Sequence, residues 1–242
     1  MSFWDILKQE IKIHSINDEL EEKIEKLTLD GRPILVGMCG ESASGKTTLV
    51  NRLKEKLPSA TFISTDNYYK DMTEAFRKYG SFRKMVEAGH PTESSEAFQM
   101  DILRRDLENL KNGHSVQGCF YDMKTGESKS NQISYNPAPV IFAEGICTLF
   151  EEVRDVFDVK VYLIVDKEVQ KRRYFEHASE RGHRKEDIEE QFARVSESAE
   201  KYIGVNQKYA DLVAEVRPRE IEVYKIGRQF QKNKLDKEKE RI

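Results

Sequence analysis

The chain has 242 residues, 38% hydrophobic and 34% charged, with a formal net charge of −3. That length suits one substantial α/β domain with small appendages, and the near-neutral balance argues against nucleic-acid or membrane-surface binding. No apolar stretch is long enough to cross a bilayer, the first residues lack a signal-peptide apolar core, and Cys39, Cys119 and Cys147 show no metal-ligand spacing, so the expected setting is cytoplasmic with reduced thiols.

Residues 1–32 read as a helical extension. Trp4, Ile6, Leu7, Ile11 and Ile13 precede a charged stretch in which Leu20, Ile24 and Leu27 recur at helical spacing, and Asp30-Gly31-Arg32-Pro33 breaks the helix. Packing on the main domain is the favoured role, a partner-binding arm the alternative. The apolar run Ile34–Cys39 then suits a buried parallel strand. It leads directly into Gly40-Glu41-Ser42-Ala43-Ser44-Gly45-Lys46-Thr47, with a second hydroxyl at Thr48, and Leu49, Val50, Leu53 and Leu57 follow at helical spacing up to Pro58. Strand, glycine loop and helix in that order are the context in which G-x-x-x-x-G-K-[ST] grips a nucleotide. Backbone N–H groups cradle phosphate oxygens, Lys46 reaches the β- and γ-phosphates, the Thr47 hydroxyl holds Mg²⁺, and the helix adds its positive end. The alternative is a glycine-rich surface turn.

Ala60–Ser64 is a second short strand, and the polar segment Thr65–Pro91, with aromatics at Tyr68, Tyr69, Phe76, Tyr79 and Phe82, reads as a substrate-side excursion. A helix is expected over Ala97–Leu110, closed by Gly113, and a small antiparallel hairpin over Val116–Tyr121 and Gln132–Tyr135. Val140–Ala143 and Val159–Val165 are further buried strands, Lys167–Glu180 and Glu186–Tyr202 helices, Leu212–Val216 a last strand, and 218–242 a strand and helical tail. Alternating strands and helices predict an α/β fold with a mostly parallel sheet covered on both faces.

Three carboxylates sit just past predicted strands, where ligands gather in such sheets: Asp66, Glu144 and Asp166. Asp66 suits a general base that orients a hydroxyl nucleophile and takes its proton, against the alternative of a turn residue. Glu144, before a glycine, suits the Mg²⁺ shell, against the same alternative. Asp166 suits an N-cap. Lys171-Arg172-Arg173 and Arg181-Gly182-His183-Arg184 flank one predicted helix and suit a cationic lid over phosphates, the alternative being a solvated face.

With these pieces in place, the chain resembles the uridine kinase and phosphoribulokinase family of P-loop small-molecule kinases. The likeness runs from about Pro33 to Arg217 and rests on Gly40–Thr48, Ser64-Thr65-Asp66-Asn67-Tyr68-Tyr69-Lys70, Glu96–Leu103, Phe120-Tyr121-Asp122, Phe142–Ile146, Val153-Arg154-Asp155, Ser179-Glu180-Arg181-Gly182 and Gln207–Asp211. The resemblance implies a P-loop NTPase fold over 33–217 with a helical lid, ATP and Mg²⁺ as cofactors, and phosphorylation of a nucleoside 5′-hydroxyl or of another small alcohol such as a sugar phosphate. It implies a catalytic Asp66, Mg²⁺ positions at Thr47 and Glu144, a lid arginine at Arg173, and acceptor contacts at Tyr69, Tyr121 and Gln191. Glu93 falls where uridine kinases place an aspartate for the ribose hydroxyls; alignment on His90-Pro91 would put Gly89 there instead. The base-reading histidine is replaced near Gly126, and the lid's usual Arg-Asp pair is Glu176-His177. The family's habit of assembly implies a homo-oligomer, and a nucleotide-binding regulator without turnover is the reading from another class.

Overall fold

A helix and a strand open the chain: α1 (Phe3–Glu10) runs into β1 (Ile11–Ile16), and α2 (Leu20–Asp30) follows. The computed structural model describes residues 1–80, 84–85, 88–90, 92–180 and 185–218. The expected tail therefore lies outside the described residues from 219 onward.

The strand at Ile11–Ile16 corrects the purely helical reading of residues 1–32. Its sequence, Ile-Lys-Ile-His-Ser-Ile, alternates at period two and is rich in β-branched residues, which suits an edge strand. Six residues of alternation are easily lost between two helical patterns. Packing on the main domain is what the segment does, because Phe3, Trp4, Leu7, Ile11, Leu20 and Ile24 are buried in one cluster with the sheet. Ser2 caps α1, its side chain accepting from the Asp5 amide while Asp5 bonds back. Gly31 ends α2 at φ 67°, a left-handed conformation.

The rest of the sheet and its helices follow as β2 (Ile34–Gly40), α3 (Lys46–Lys56), β3 (Thr61–Ser64), α4 (Thr73–Tyr79), α5 (Met100–Lys111), β4 (Val116–Tyr121), β5 (Ser128–Tyr135), β6 (Val140–Glu144), β7 (Val159–Ile164), α6 (Lys167–Glu180), α7 (Lys185–Tyr202) and β8 (Leu212–Val216). The sheet has six strands in the order β1-β8-β7-β2-β6-β3. All pairs are parallel except β1 with β8, which run antiparallel from Ile11 opposite Val216 to Ile16 opposite Leu212. β4 and β5 form a separate antiparallel hairpin, with β5 four residues longer at its start than the sequence suggests. The helix expected from Ala97 begins at Met100, since Phe98 is taken up in a bridge with Tyr69.

Each strand splits its side chains between two faces. Val36, Met38, Phe142, Val161 and Leu163 pack under α1, α2 and α3, while Leu35, Ile141 and Ala143 pack under α5. Cys39, Tyr162 and Val213 meet Ala199 of α7 and Ile203 just past it. β2 is buried along its whole length, as a central parallel strand should be. From β2 the chain goes to β3 on one side and later to β7 and β8 on the other. β2 therefore ends at the point where connections diverge, the crevice in which open α/β sheets bind ligands.

Candidate active site

The loop leaving β2 turns inward through Ala43 (φ 61°) and Gly45 (φ 102°). Gly45 is the N-cap of α3, and a Cβ there would press on Val216 Cγ2 at 3.2 Å and lie 3.5 Å from Arg173 Nη1. The residue must be glycine for its left-handed backbone as well as for this close approach. The Lys46 ammonium folds back over the loop, donating to the carbonyl oxygens of Gly40 at 2.7 Å and Glu41 at 3.0 Å. Thr47 and Thr48 are exposed on the first turn of α3. Unbonded amides at this helix start and the lysine together make an anion site.

Register brings the carboxylates to the same place. Glu144 ends β6, opposite Met38 of β2 on one side and Ser64 of β3 on the other. Asp66 lies just past β3 in the 3₁₀ turn Thr65–Tyr68. Burial and the Glu144 charge lift the Asp66 carboxyl to about 6, against the pull of Lys46. Gly145 closes the geometry with φ 148°, and a Cβ on it would collide with Thr65 Oγ1. The turn is anchored from below: the Tyr68 hydroxyl donates to Asp106 of α5 at 3.0 Å, and the buried Asp106 pairs with Arg105 at 2.8 Å.

A wall of aromatics stands beside these groups. The Tyr69 ring stacks on Phe98 with centroids 4.1 Å apart and lies 5.1 Å from the Tyr121 ring. The Tyr69 hydroxyl, 6% of the residue being exposed, donates to the Thr92 carbonyl at 3.0 Å. The Tyr121 hydroxyl and Glu93 Oε2 are buried and meet no hydrogen-bond partner among the described residues. Burial and repulsion from Glu41 raise the Glu93 carboxyl, while the Ser198 hydroxyl and the Lys46 charge oppose the rise. Glu93 therefore faces the same crevice as the phosphate loop.

α6 closes the loop from above. Asp166 Oδ1 accepts from the amides of Glu168 and Val169, the N-cap expected of it. Lys167 Nζ and Gln170 Nε2 reach Glu41 Oε2 at 3.1 and 2.9 Å, and Gln170 Nε2 also donates to the Ser42 carbonyl at 2.9 Å. The exposed Glu176 lies further along α6. α7 packs back on α6 through Phe192 and Tyr174, with centroids 5.4 Å apart.

Lys46, Asp66, Glu144, Glu93 and Arg173 thus converge around one crevice, with Tyr69 and Tyr121 as its wall. The side chain of Gln191 and residues Arg181–Arg184 lie outside what is described. The sequence reading missed Lys167 and Gln170, since polar side chains on charged helices carry no local mark of the loop they meet.

The profile of the "Phosphoribulokinase / Uridine kinase family" matches residues 35–221. A uridine kinase of Brevibacillus brevis is 33% identical over 188 residues, 76% of this chain and 85% of that one. A uridine kinase of Staphylococcus haemolyticus is 34% identical over 187 residues, 74% and 86% of the two chains. Among solved structures, the D-glycerate 3-kinase of Cryptococcus neoformans superposes with a TM-score of 0.53 at 13% identity, over 78% of this chain and 90% of its own. The phosphoribulokinase of Rhodobacter spheroides gives 0.50 at 14% identity, over 74% and 68%. These two share the fold. The sheet order, the phosphate loop at the end of β2 and the match across most of its length agree: the chain belongs to the phosphoribulokinase / uridine kinase family.

Proposed function

We propose that this protein transfers the γ-phosphoryl group of ATP to the 5′-hydroxyl of a nucleoside of the uridine or cytidine kind. The observation that carries the reading is the meeting of Asp66 and Glu144, at the ends of adjacent strands, with Lys46 at the start of α3, and with Asp66 lifted to about 6. A base whose pKa lies near the working pH is matched to taking a proton from a hydroxyl. Asp66 would orient the acceptor hydroxyl and take its proton as the new O–P bond forms and the bond from the γ-phosphorus to the β–γ bridging oxygen breaks, with ADP leaving. Lys46 and Arg173 would meet the charge on the phosphoryl oxygens.

Thr47 and Glu144 would hold Mg²⁺. Their all-oxygen donor set fits that ion, and the repulsion between Glu144 and Asp66 is what a cation beside them would relieve. When bound, the ion would neutralise the phosphate oxygens. On the acceptor side, the aromatic wall suits a planar base and the unpartnered Glu93 oxygen suits ribose hydroxyls. A buried carboxylate would repel a phosphorylated sugar, which favours a neutral acceptor over the phosphoribulokinase-like alternative. We assign residues 33–217 to the kinase domain, with 1–32 and 218–242 as appendages. A homo-oligomer and a cytoplasmic setting, as the sequence reading expects, belong to the same proposal.

ADP release measured with uridine, cytidine and ribulose 5-phosphate tests the reading. Turnover is expected with a nucleoside. Asp66→Asn should lower kcat by about three orders of magnitude with ATP affinity nearly intact, and Lys46→Ala should impair both. Bound ATP with no turnover on any acceptor would favour the regulator instead.

A further inference from the structure

Helix α6 meets the phosphate loop at both of the loop's ends. At the start of the loop, Gln170 donates from Nε2 to Glu41 Oε2 and to the Ser42 carbonyl, each at 2.9 Å. Lys167, one turn earlier, pairs with the same Glu41 oxygen at 3.1 Å. At the end of the loop, a Cβ on Gly45 would lie 3.5 Å from Arg173 Nη1, and Arg173 stands one turn beyond Gln170 on α6. Gln170 is 3% exposed, whereas the Lys167 side chain is 56% exposed, so the buried amide is the firmer of the two fastenings. Its partners settle which way the amide faces. A carboxylate and a carbonyl can only accept, so the nitrogen must point at them. Gln170 Oε1 is buried and meets no partner among the described residues, so the amide is placed by what it donates.

We propose that Gln170 is a positioning residue that fastens α6 to the phosphate loop and thereby sets Arg173 over the donor phosphates. The role of Arg173 rests on the kinase reading above; the fastening of α6 to the loop does not. The grip works in two directions. Along α6, a helix held at Gln170 carries Arg173 at a fixed place one turn away, about 4.5 Å further along the axis. Within the loop, the Ser42 carbonyl and the Ala43 N–H belong to one planar trans peptide and point opposite ways. A carbonyl fixed on α6 therefore fixes the direction of the Ala43 amide, and with it the φ of 61° at Ala43. That left-handed conformation is uncommon for a residue other than glycine and needs support from its surroundings. One side chain thus couples the shape of the loop to the placement of the arginine.

A double-mutant cycle on kcat with uridine and ATP tests this. Gln170→Met is close in volume and lacks the donors; it should lower kcat about ten- to a hundredfold, with KM for uridine within about twofold. In an Arg173→Ala background the same substitution should lower kcat by less than about twofold, because the group it positions is already gone. Gln170→Glu is closest in shape but sets a carboxylate against Glu41 and the Ser42 carbonyl, so it should be at least as harmful as Met. Losses that multiply in the cycle, an unchanged kcat in Gln170→Met, or a Glu variant milder than Met would each overturn the proposal, the last by marking Gln170 as packing. Amide hydrogen exchange on the ligand-free protein is the second readout. Gln170→Met should speed exchange about five- to tenfold in Ser42–Ser44 and in the α6 turn around Arg173, with β1 unchanged. A wild type that turns over no nucleoside would sink the nucleoside reading, and exchange would then decide on Gln170 by itself: faster exchange in both segments upholds the fastening, and unchanged exchange overturns it.

Discussion

At the scale of single residues, Asp66 shows how the site works against the fold. Its carboxyl stands at about 6 in the folded chain against an ordinary 3.8, chiefly through burial and then the Glu144 charge. The folded state thus holds this proton more tightly than the unfolded one does. The resulting stability is fully present below pH 3.8 and is lost as pH rises through about 6. Asp66→Asn removes the buried charge, so it should stabilise the protein by on the order of 1–3 kcal/mol at pH 7.5, with the difference from wild type shrinking steadily toward pH 4. Thermal melts across that range check it; a difference independent of pH would show that Asp66 titrates as it does in water. Gly145 is the steric counterpart. Gly145→Ala would force its Cβ into Thr65 at a left-handed φ, so about 2 kcal/mol or more of destabilisation is expected, with a fall in kcat as the Asp66 turn shifts.

At the scale of elements, the informative joint is between α1 and α3. Glu10, 8% exposed at the end of α1, receives Lys56 at 2.6 Å and Arg52 at 3.3 Å, and Arg52 also donates to the Arg217 carbonyl at 2.6 Å. Burial works against the Glu10 charge, yet Lys56 and Arg52 hold its carboxyl below the usual range. The carboxylate ties the helix that leads into edge strand β1 to the helix that starts at the phosphate loop. Removing one partner of a buried ion pair leaves the other charge poorly compensated. Glu10→Ala should therefore destabilise the protein by about 3 kcal/mol, read from the denaturant midpoint; a loss below about 0.5 kcal/mol would place this pair among surface-type contacts.

At the scale of the whole molecule, local pattern and long-range contact explain what was legible. The buried strands Ile34–Gly40, Val140–Glu144 and Val159–Ile164 stood out as short apolar runs because a covered parallel sheet demands them. Asp66 and Glu144 stood out because strand ends mark the ligand crevice. β1 did not, because it is a strand only through β8, whose edge is supplied some two hundred residues later. Gln170 did not either, because its partner, Glu41, comes to it only when α6 folds over the loop. The same distinction separates stability from function along α3. Lys46 faces the carbonyls of the phosphate loop and Arg52 faces Glu10, six residues and roughly 9 Å apart along the axis. The partners of Glu10 are Lys56 and Arg52, whereas Asp66 answers to Glu144 and Lys46, so the two sets share no group. Sites without shared partners combine additively to within about 0.5 kcal/mol. The Glu10→Ala/Asp66→Asn double variant should therefore show the sum of the two opposite changes at pH 7.5, and Glu10→Ala alone should leave ATP affinity within about twofold. Additivity would make residues 1–16 a support for the sheet that does not reach the chemistry. A coupling above about 1 kcal/mol would mean that α3 carries strain from the edge strand into the phosphate loop.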